Sequence, residues 1–257
     1  MTFVLLVILA CAADKRTETA DTSETTHTGD TAHTGDTEDP GPDFDCPEAT
    51  TGIQDISTTP ASSYLIRHPT ELSGGSEPIV VFLAGGPGDN GSAGYAFNAF
   101  LGRADELEQV WAVMPYTTDG SMSDEGERIV AVVDEVLDCY GGDPGRVHLA
   151  GTSNGGRASY SIMLEHADRF ATLLGAPGYF TEEDTGVWAS ALADKAVFNG
   201  VGGDDDESWQ EVVLSTHETL VSLGVDSTYE LFEGQGHLPD ESFDQSLLYA
   251  FWLSHGG

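Results

Sequence analysis

Gly151-Thr-Ser153-Asn-Gly155, with Gly156 behind it, has the spacing of a mounted serine nucleophile. A serine hydroxyl is a weak nucleophile unless a base takes its proton. A sharp strand-to-helix turn lifts such a hydroxyl clear of the backbone. The turn forces the serine into a strained conformation, and glycines two residues to either side avoid clashes. The start of the following helix also favours nearby negative charge. The chemistry this predicts is nucleophilic attack on an acyl carbonyl.

The base must be a histidine, and the chain has eight. His27 and His33 sit in a repetitive polar stretch. His148 falls inside an apolar strand and reads as a core residue. His68, His166, His217 and His255 fall at element ends or on helix faces. His237 stands apart, because Glu233-Gly-Gln-Gly-His237 follows the last strand and its glycines can swing an imidazole over a sheet edge. The imidazole needs a carboxylate to orient it. Gly202-Gly-Asp204-Asp205-Asp206-Glu207 follows another strand. Asp205 is the choice here, with Asp204 and Asp206 as competitors. Otherwise such a run is a solvated loop or a weak cation site, and repulsion among its members should raise their pKa values.

The tetrahedral intermediate of acyl transfer needs N–H donors. Leu83-Ala-Gly85-Gly86-Pro87-Gly88 follows the first long apolar run. Backbone amides of Gly86 and Asn154 are the expected pair, since Pro87 has none. No Gly-Lys-Ser/Thr follows this loop, so a nucleotide-cradling role is not expected. No metal or organic cofactor is expected. None of the cysteines forms a Cys-x-x-Cys pair of the kind zinc sites use.

These residues need strands and helices to position them. Strands are predicted at 63–67, 79–83, 109–114, 146–150, 171–175, 196–199 and 227–232. Helices are predicted at 96–107, 125–140, 155–170, 185–192, 208–223 and 243–253. In the helix at 125–140, Ile129, Val130, Val133 and Val136 share a face, with Leu137 beside them. Alternation of this kind implies an α/β fold, a mostly parallel central sheet flanked by helices. Sites in such sheets lie at the carboxyl ends of strands. The chain order Ser153, Asp205, His237 differs from that of the two main serine protease folds.

Asp143-Pro-Gly-Arg146-Val147 leading into Gly151-Thr-Ser153-Asn-Gly155-Gly156 resembles the α/β-hydrolase superfamily, in the esterase branch with polyhydroxybutyrate depolymerases and feruloyl esterases. The resemblance implies the α/β-hydrolase fold with a minimal cap, Ser153 as nucleophile, His237 as base and Asp205 as the acid. Ala84 stands where many members carry histidine before the glycine pair. Residues 176–195 are the only room for a cap, and Phe180 and Trp188 there could line an acyl pocket or belong to the core.

The chain carries 44 acidic and 9 basic residues, a net charge of −35. Such a surface repels nucleic acid and anionic lipid, so neither is an expected partner. It fits either a soluble acidic surface or adaptation to high salt, where screening relieves self-repulsion. Phe3 to Ala10 is an apolar run too short to span a membrane and suited to a secretory signal. Ile8-Leu-Ala-Cys11 resembles a bacterial lipobox, with Cys11 as the lipidated residue, although no Lys or Arg precedes the run. A plain cleaved signal is the alternative. Residues 12–45, with His27-Thr-Gly-Asp-Thr31 repeated at 33–37, are too polar to build a core and read as a tether. The organisation is therefore a signal at 1–11, a tether at 12–45 and a catalytic domain at 46–257. The membrane would be met only through the lipid anchor. Cys46 and Cys139 can pair in an oxidising compartment or remain free thiols.

The residues thus favour a secreted or tethered carboxylic ester hydrolase acting on a small or polymeric ester. A prolyl-type serine peptidase and a catalytically silent binding protein are the rivals.

Overall fold

Five consecutive apolar residues leave a strand no solvent face, so Ile79–Leu83 must lie inside a sheet covered on both sides. All five are buried. The structure, a computed structural model, describes residues 46–257 except 60, 61, 71, 73, 118–121, 181–184 and 257. The expectations for residues 1–45, Cys11 included, lie outside the described residues.

The strands are β1 (Ile53–Thr59), β2 (Ser62–Arg67), β3 (Ile79–Leu83), β4 (Trp111–Pro115), β5 (Val147–Gly151), β6 (Thr172–Gly175), β7 (Ala196–Gly202) and β8 (Asp226–Phe232). They form one sheet in the order β1-β2-β4-β3-β5-β6-β7-β8. β4 through β8 run parallel, and β1 and β2 pair antiparallel at one edge. The helices are α1 (Asn90–Phe100), α2 (Gly126–Tyr140), α3 (Asn154–Glu165), α4 (Thr185–Ala191), α5 (Glu207–Ser222) and α6 (Ser246–Ser254).

The alternation of side chains along β3 divides the core. Ile79, Val81 and Leu83 pack with Ile129 and Val133 of α2 and Ile162 of α3. Val80 and Phe82 pack with Phe97 and Phe100 of α1 and Tyr249 and Trp252 of α6. Burying each such large side chain contributes about 1.5–3 kcal/mol. The chain leaves β3 toward β4 on one side and later returns to place β5 on the other. Their connections therefore diverge onto opposite faces and open a crevice at the strands' carboxyl ends.

Several elements differ from the sequence expectations. β1 was not foreseen, because an edge strand needs few apolar residues and Ile56 is its buried anchor. The Asp55 carboxylate on β1 accepts from the Tyr116 hydroxyl (2.7 Å) and the Asn90 amide (2.9 Å), fastening that edge to the start of α1. α1 spans Asn90–Phe100 in place of the expected 96–107, and residues 105–109 form a separate 3-10 turn. Asp89 caps α1 by accepting the Ser92 amide at 2.8 Å. The weak helix formers Asn90-Gly-Ser-Ala-Gly94 masked that first turn. α3 stops at Glu165, and residues 167–169 form a separate 3-10 turn. On α2, Val132 is buried where Val130 was expected.

Cys46 and Cys139 form a disulfide with 5.2 Å between Cα atoms, joining the start of the described chain to the end of α2.

His148 lies on β5 with no exposed surface. Its Nδ1 pairs with the Thr172 hydroxyl at 2.9 Å. Burial first, then the charges of Arg146 and His255, push its pKa down to about 3. The unfolded chain takes up this proton near pH 6.5 and the folded chain does not. Stability is therefore full above about pH 6.5 and is lost as pH falls toward 3, at up to about 1.4 kcal/mol per pH unit. His148→Leu should flatten the acid limb of a stability–pH curve measured by urea unfolding. An unchanged limb would exclude this contribution.

Candidate active site

β5 ends at Gly151 and α3 begins at Asn154, so Thr152 and Ser153 make the whole reversal. Ser153 has φ 55° and ψ −120° and is the one non-glycine residue with positive φ among the described residues. Such a conformation costs about 1–3 kcal/mol and persists only where the surroundings enforce it. Two hydrogen bonds do so. The Thr152 amide donates to the Leu83 carbonyl at 3.1 Å, and the Ser153 amide donates to the Pro177 carbonyl at 2.7 Å.

The glycines are required by contact. A Cβ on Gly155 would stand 2.1 Å from the Leu83 oxygen, and one on Gly156 would stand 2.2 Å from the Pro177 oxygen. Gly155→Ala must therefore push α3 away from β3 and displace Ser153. We expect a loss of roughly 100-fold in ester hydrolysis, as a 1 Å misplacement can cause, with a lowered Tm. A variant with the parent's rate and Tm would contradict the contact.

The hydroxyl of Ser153 lies 2.9 Å from His237 Nε2. On the far side of the ring, Nδ1 lies 2.9 Å from Asp205 Oδ2 and 3.1 Å from Oδ1. The Asp205 side chain is 3% exposed and that of His237 34%. A neutral ring with its proton on Nδ1 donates to Asp205 and leaves Nε2 to accept from Ser153.

Asp205 is therefore the acid in reach of the ring. Asp206 instead caps α5, accepting from the amide and hydroxyl of Ser208 at 2.9 and 2.7 Å. Asp204 is exposed. The expectation that repulsion raises the acids' pKa values fails at Asp206. Hydrogen bonds from the Ser208 hydroxyl and amide hold its carboxyl below the usual range.

Several supports were not read from the sequence. A Cβ on Gly202 would stand 2.2 Å from the Gly236 oxygen, so the acid loop and the histidine loop touch backbone to backbone. Gln210 donates to the carbonyls of Gly203 (3.0 Å) and Asp205 (2.9 Å). The buried Gln235 donates to the Ser242 hydroxyl and accepts from the Asp240 amide, both at 2.9 Å. Trp209 packs on the His237 ring at 4.8 Å between centroids. Polar residues in loops and a tryptophan on a helix carry no periodic signal that separates these roles from ordinary surface or core.

The loop after β3 lies against the elbow: a Cβ on Gly85 would stand 2.9 Å from the Ser153 Cβ. Gly86 adopts φ 61°, and the Asn154 side chain donates to its carbonyl at 3.0 Å. Among the described residues neither the Gly86 nor the Asn154 amide donates to a backbone carbonyl. A cavity of about 540 Å³ opens beside Ser153 and His237, walled by Gly86, Tyr95, Ala96 and Leu238 among others. Tyr95 and Leu238, both partly exposed, are lining residues that sequence reasoning missed. Phe180 and Trp188 do not line it. Trp188 is 2% exposed and packs with Phe180 and Tyr160 in the core.

Among the described residues, the one cluster with metal-ligand spacing is Cys46, Asp138 and Cys139, and its two sulfurs are joined in the disulfide. No described helix is long and apolar enough to cross a membrane.

No protein-family model and no curated protein sequence matches the chain. Solved structures do. The chain is similar to an acetyl xylan esterase from Aspergillus awamori, with TM-score 0.60 and 12% identity over 79% of this chain and 99% of that one. It is similar to an S-formylglutathione hydrolase from Staphylococcus aureus, with TM-score 0.57 and 13% identity over 80% and 98%. It is also similar to a feruloyl esterase module from Clostridium thermocellum, with TM-score 0.57 and 14% identity over 76% and 91%. At these identities the likeness concerns the fold, and the chain has the α/β-hydrolase fold.

Proposed function

We propose that this chain is a carboxylic ester hydrolase acting through a Ser153–His237–Asp205 triad. The observation that carries the reading is the unbroken line of hydrogen bonds from Ser153 through both ring nitrogens of His237 to a buried Asp205. The esterases among its structural relatives lend support.

In this reading Ser153 Oγ attacks the ester carbonyl as its proton passes to His237 Nε2. Asp205 holds the imidazolium. The Gly86 and Asn154 amides meet the developing oxyanion, each supplying on the order of 2.7–4 kcal/mol. The imidazolium then protonates the leaving alcohol. Water, deprotonated by His237, releases the acid from the acyl-enzyme. The cavity beside Ser153 takes one substituent of the ester. A location outside the cytoplasm, with Cys11 as lipid anchor, belongs to the same proposal. The Cys46–Cys139 disulfide supports it, since such bonds persist in oxidising compartments.

The test is fluorophosphonate labelling together with a panel of matched esters and anilides. We expect stoichiometric labelling at Ser153 and much faster cleavage of the esters. Absent labelling would favour a catalytically silent protein, and preference for anilides would favour a peptidase.

A further inference from the structure

An ester has two substituents, and the cavity beside Ser153 accommodates one. A different surface leads away from His237. Trp209 packs on the His237 ring at 4.8 Å, Tyr179 packs on Trp209 at 5.3 Å, and the Arg157 guanidinium lies 5.4 Å from the centre of the Tyr179 ring. None of these three residues lines the cavity. Arg157 sits one helical turn beyond the nucleophile, its amide donating to the Ser153 carbonyl at 3.0 Å.

The charge of Arg157 stands apart among the described residues. Seven basic residues fall within 46–257. Arg128, Arg169 and Lys195 pair with carboxylates. Arg67, Arg103 and Arg146 donate to backbone carbonyls. Arg157 has neither kind of partner among the described residues. It is exposed, and its guanidinium lies over the face of Tyr179. An aromatic face steadies a guanidinium without neutralising it or using its five N–H donors. On a chain of net charge −35, an anion is repelled nearly everywhere, so a guanidinium with no carboxylate partner among the described residues, one helical turn beyond the nucleophile, marks a local exception.

Resting on the ester-hydrolase reading, we infer that Arg157, with Tyr179 and Trp209, forms a second subsite that selects esters carrying a carboxylate on the substituent outside the cavity. The carboxylate accepts from the Arg157 guanidinium, and the intervening planar or aliphatic part lies along Tyr179 and Trp209. The group is a specificity determinant and takes no part in bond making.

The experiment uses two matched pairs. One places the charge on the alcohol: 4-carboxyphenyl butyrate against 4-carbamoylphenyl butyrate. The other places it on the acid: 4-nitrophenyl 4-carboxybenzoate against 4-nitrophenyl 4-carbamoylbenzoate. The readout is the ratio of kcat/KM within each pair, which cancels any general loss of folded enzyme. The parent should prefer the carboxylate in at least one pair, and Arg157→Gln should lower that ratio roughly tenfold, the scale of one charge-assisted hydrogen bond at an accessible site. Arg157→Lys should keep part of it, and added salt should erode it. No carboxylate preference in either pair, or a preference that survives Arg157→Gln, overturns the inference while the ester reading stands. Failure to hydrolyse the carbamoyl esters as well overturns both.

Discussion

Replacing Ser153 with Ala is expected to lower kcat for a short activated ester by roughly 10⁵- to 10⁶-fold, with KM little changed and fluorophosphonate labelling abolished. The size follows from the way such sites work: nucleophile and base act as one unit, so removing either removes most of the chemistry. Alanine keeps the Cβ and deletes only the oxygen, whose recorded partner is His237 Nε2 at 2.9 Å. The two hydrogen bonds that hold the elbow use the backbone amides of Thr152 and Ser153 and survive the change. The fold should therefore persist, and thermal melting should show it. A residual rate over water, of order 10³, would come from binding and from the free amides of Gly86 and Asn154. Retention of more than about 1% of the parent kcat by a folded variant would remove Ser153 from the role of nucleophile.

The second large effect concerns the acid. Asp205→Asn should lower kcat by roughly 10⁴-fold. The substitution is nearly isosteric, so the site remains filled. An amide that presents its NH₂ to Nδ1 selects the tautomer with the proton on Nε2, which then faces the Ser153 hydroxyl as a donor and cannot accept its proton. Asp204→Asn and Asp206→Asn provide the contrast. Asp204 is exposed, and the Asp206 carboxylate is engaged with Ser208. Both variants should stay within a few-fold of the parent, and asparagine caps a helix about as well as aspartate. A loss on Asp204→Asn or Asp206→Asn as deep as on Asp205→Asn would mean that the loop acts collectively, not through one carboxylate.

Ser153 and its two partners are held in place in different ways. Ser153 is held by backbone geometry, in a conformation that β3, the Pro177 loop and three glycines enforce together. Asp205 and His237 come from separate loops, after β7 and β8, held by Gln210, Gln235 and the close approach of Gly202 to Gly236. Substitutions at Gln210 or Gln235 would act on catalysis only through the placement of those loops.

Local patterns in the chain carry a good part of this architecture. The apolar run of β3, the strand–helix alternation and the glycine-flanked Ser153 are properties of short windows. They fixed the parallel sheet, the elbow and the loop positions of His237 and the acids, because strand and helix periods and the steric demands of a tight turn act within a few residues. The remaining features depend on contacts between distant parts of the chain. Which of three adjacent aspartates faces the imidazole depends on a backbone contact between two loops some 30 residues apart, as the separation of 32 between Asp205 and His237 records. The start of α1 depended on one capping side chain against weak helix propensity, and the edge strand β1 on pairing with β2. Trp188 was drawn into the core and Tyr95 and Leu238 to the cavity by packing, which a sequence read in windows does not contain. Arg157 acquires its meaning last of all. Its charge is written in the chain, but that every other described base is already engaged, and that it stands on an aromatic surface leading from His237, are facts of the folded molecule alone.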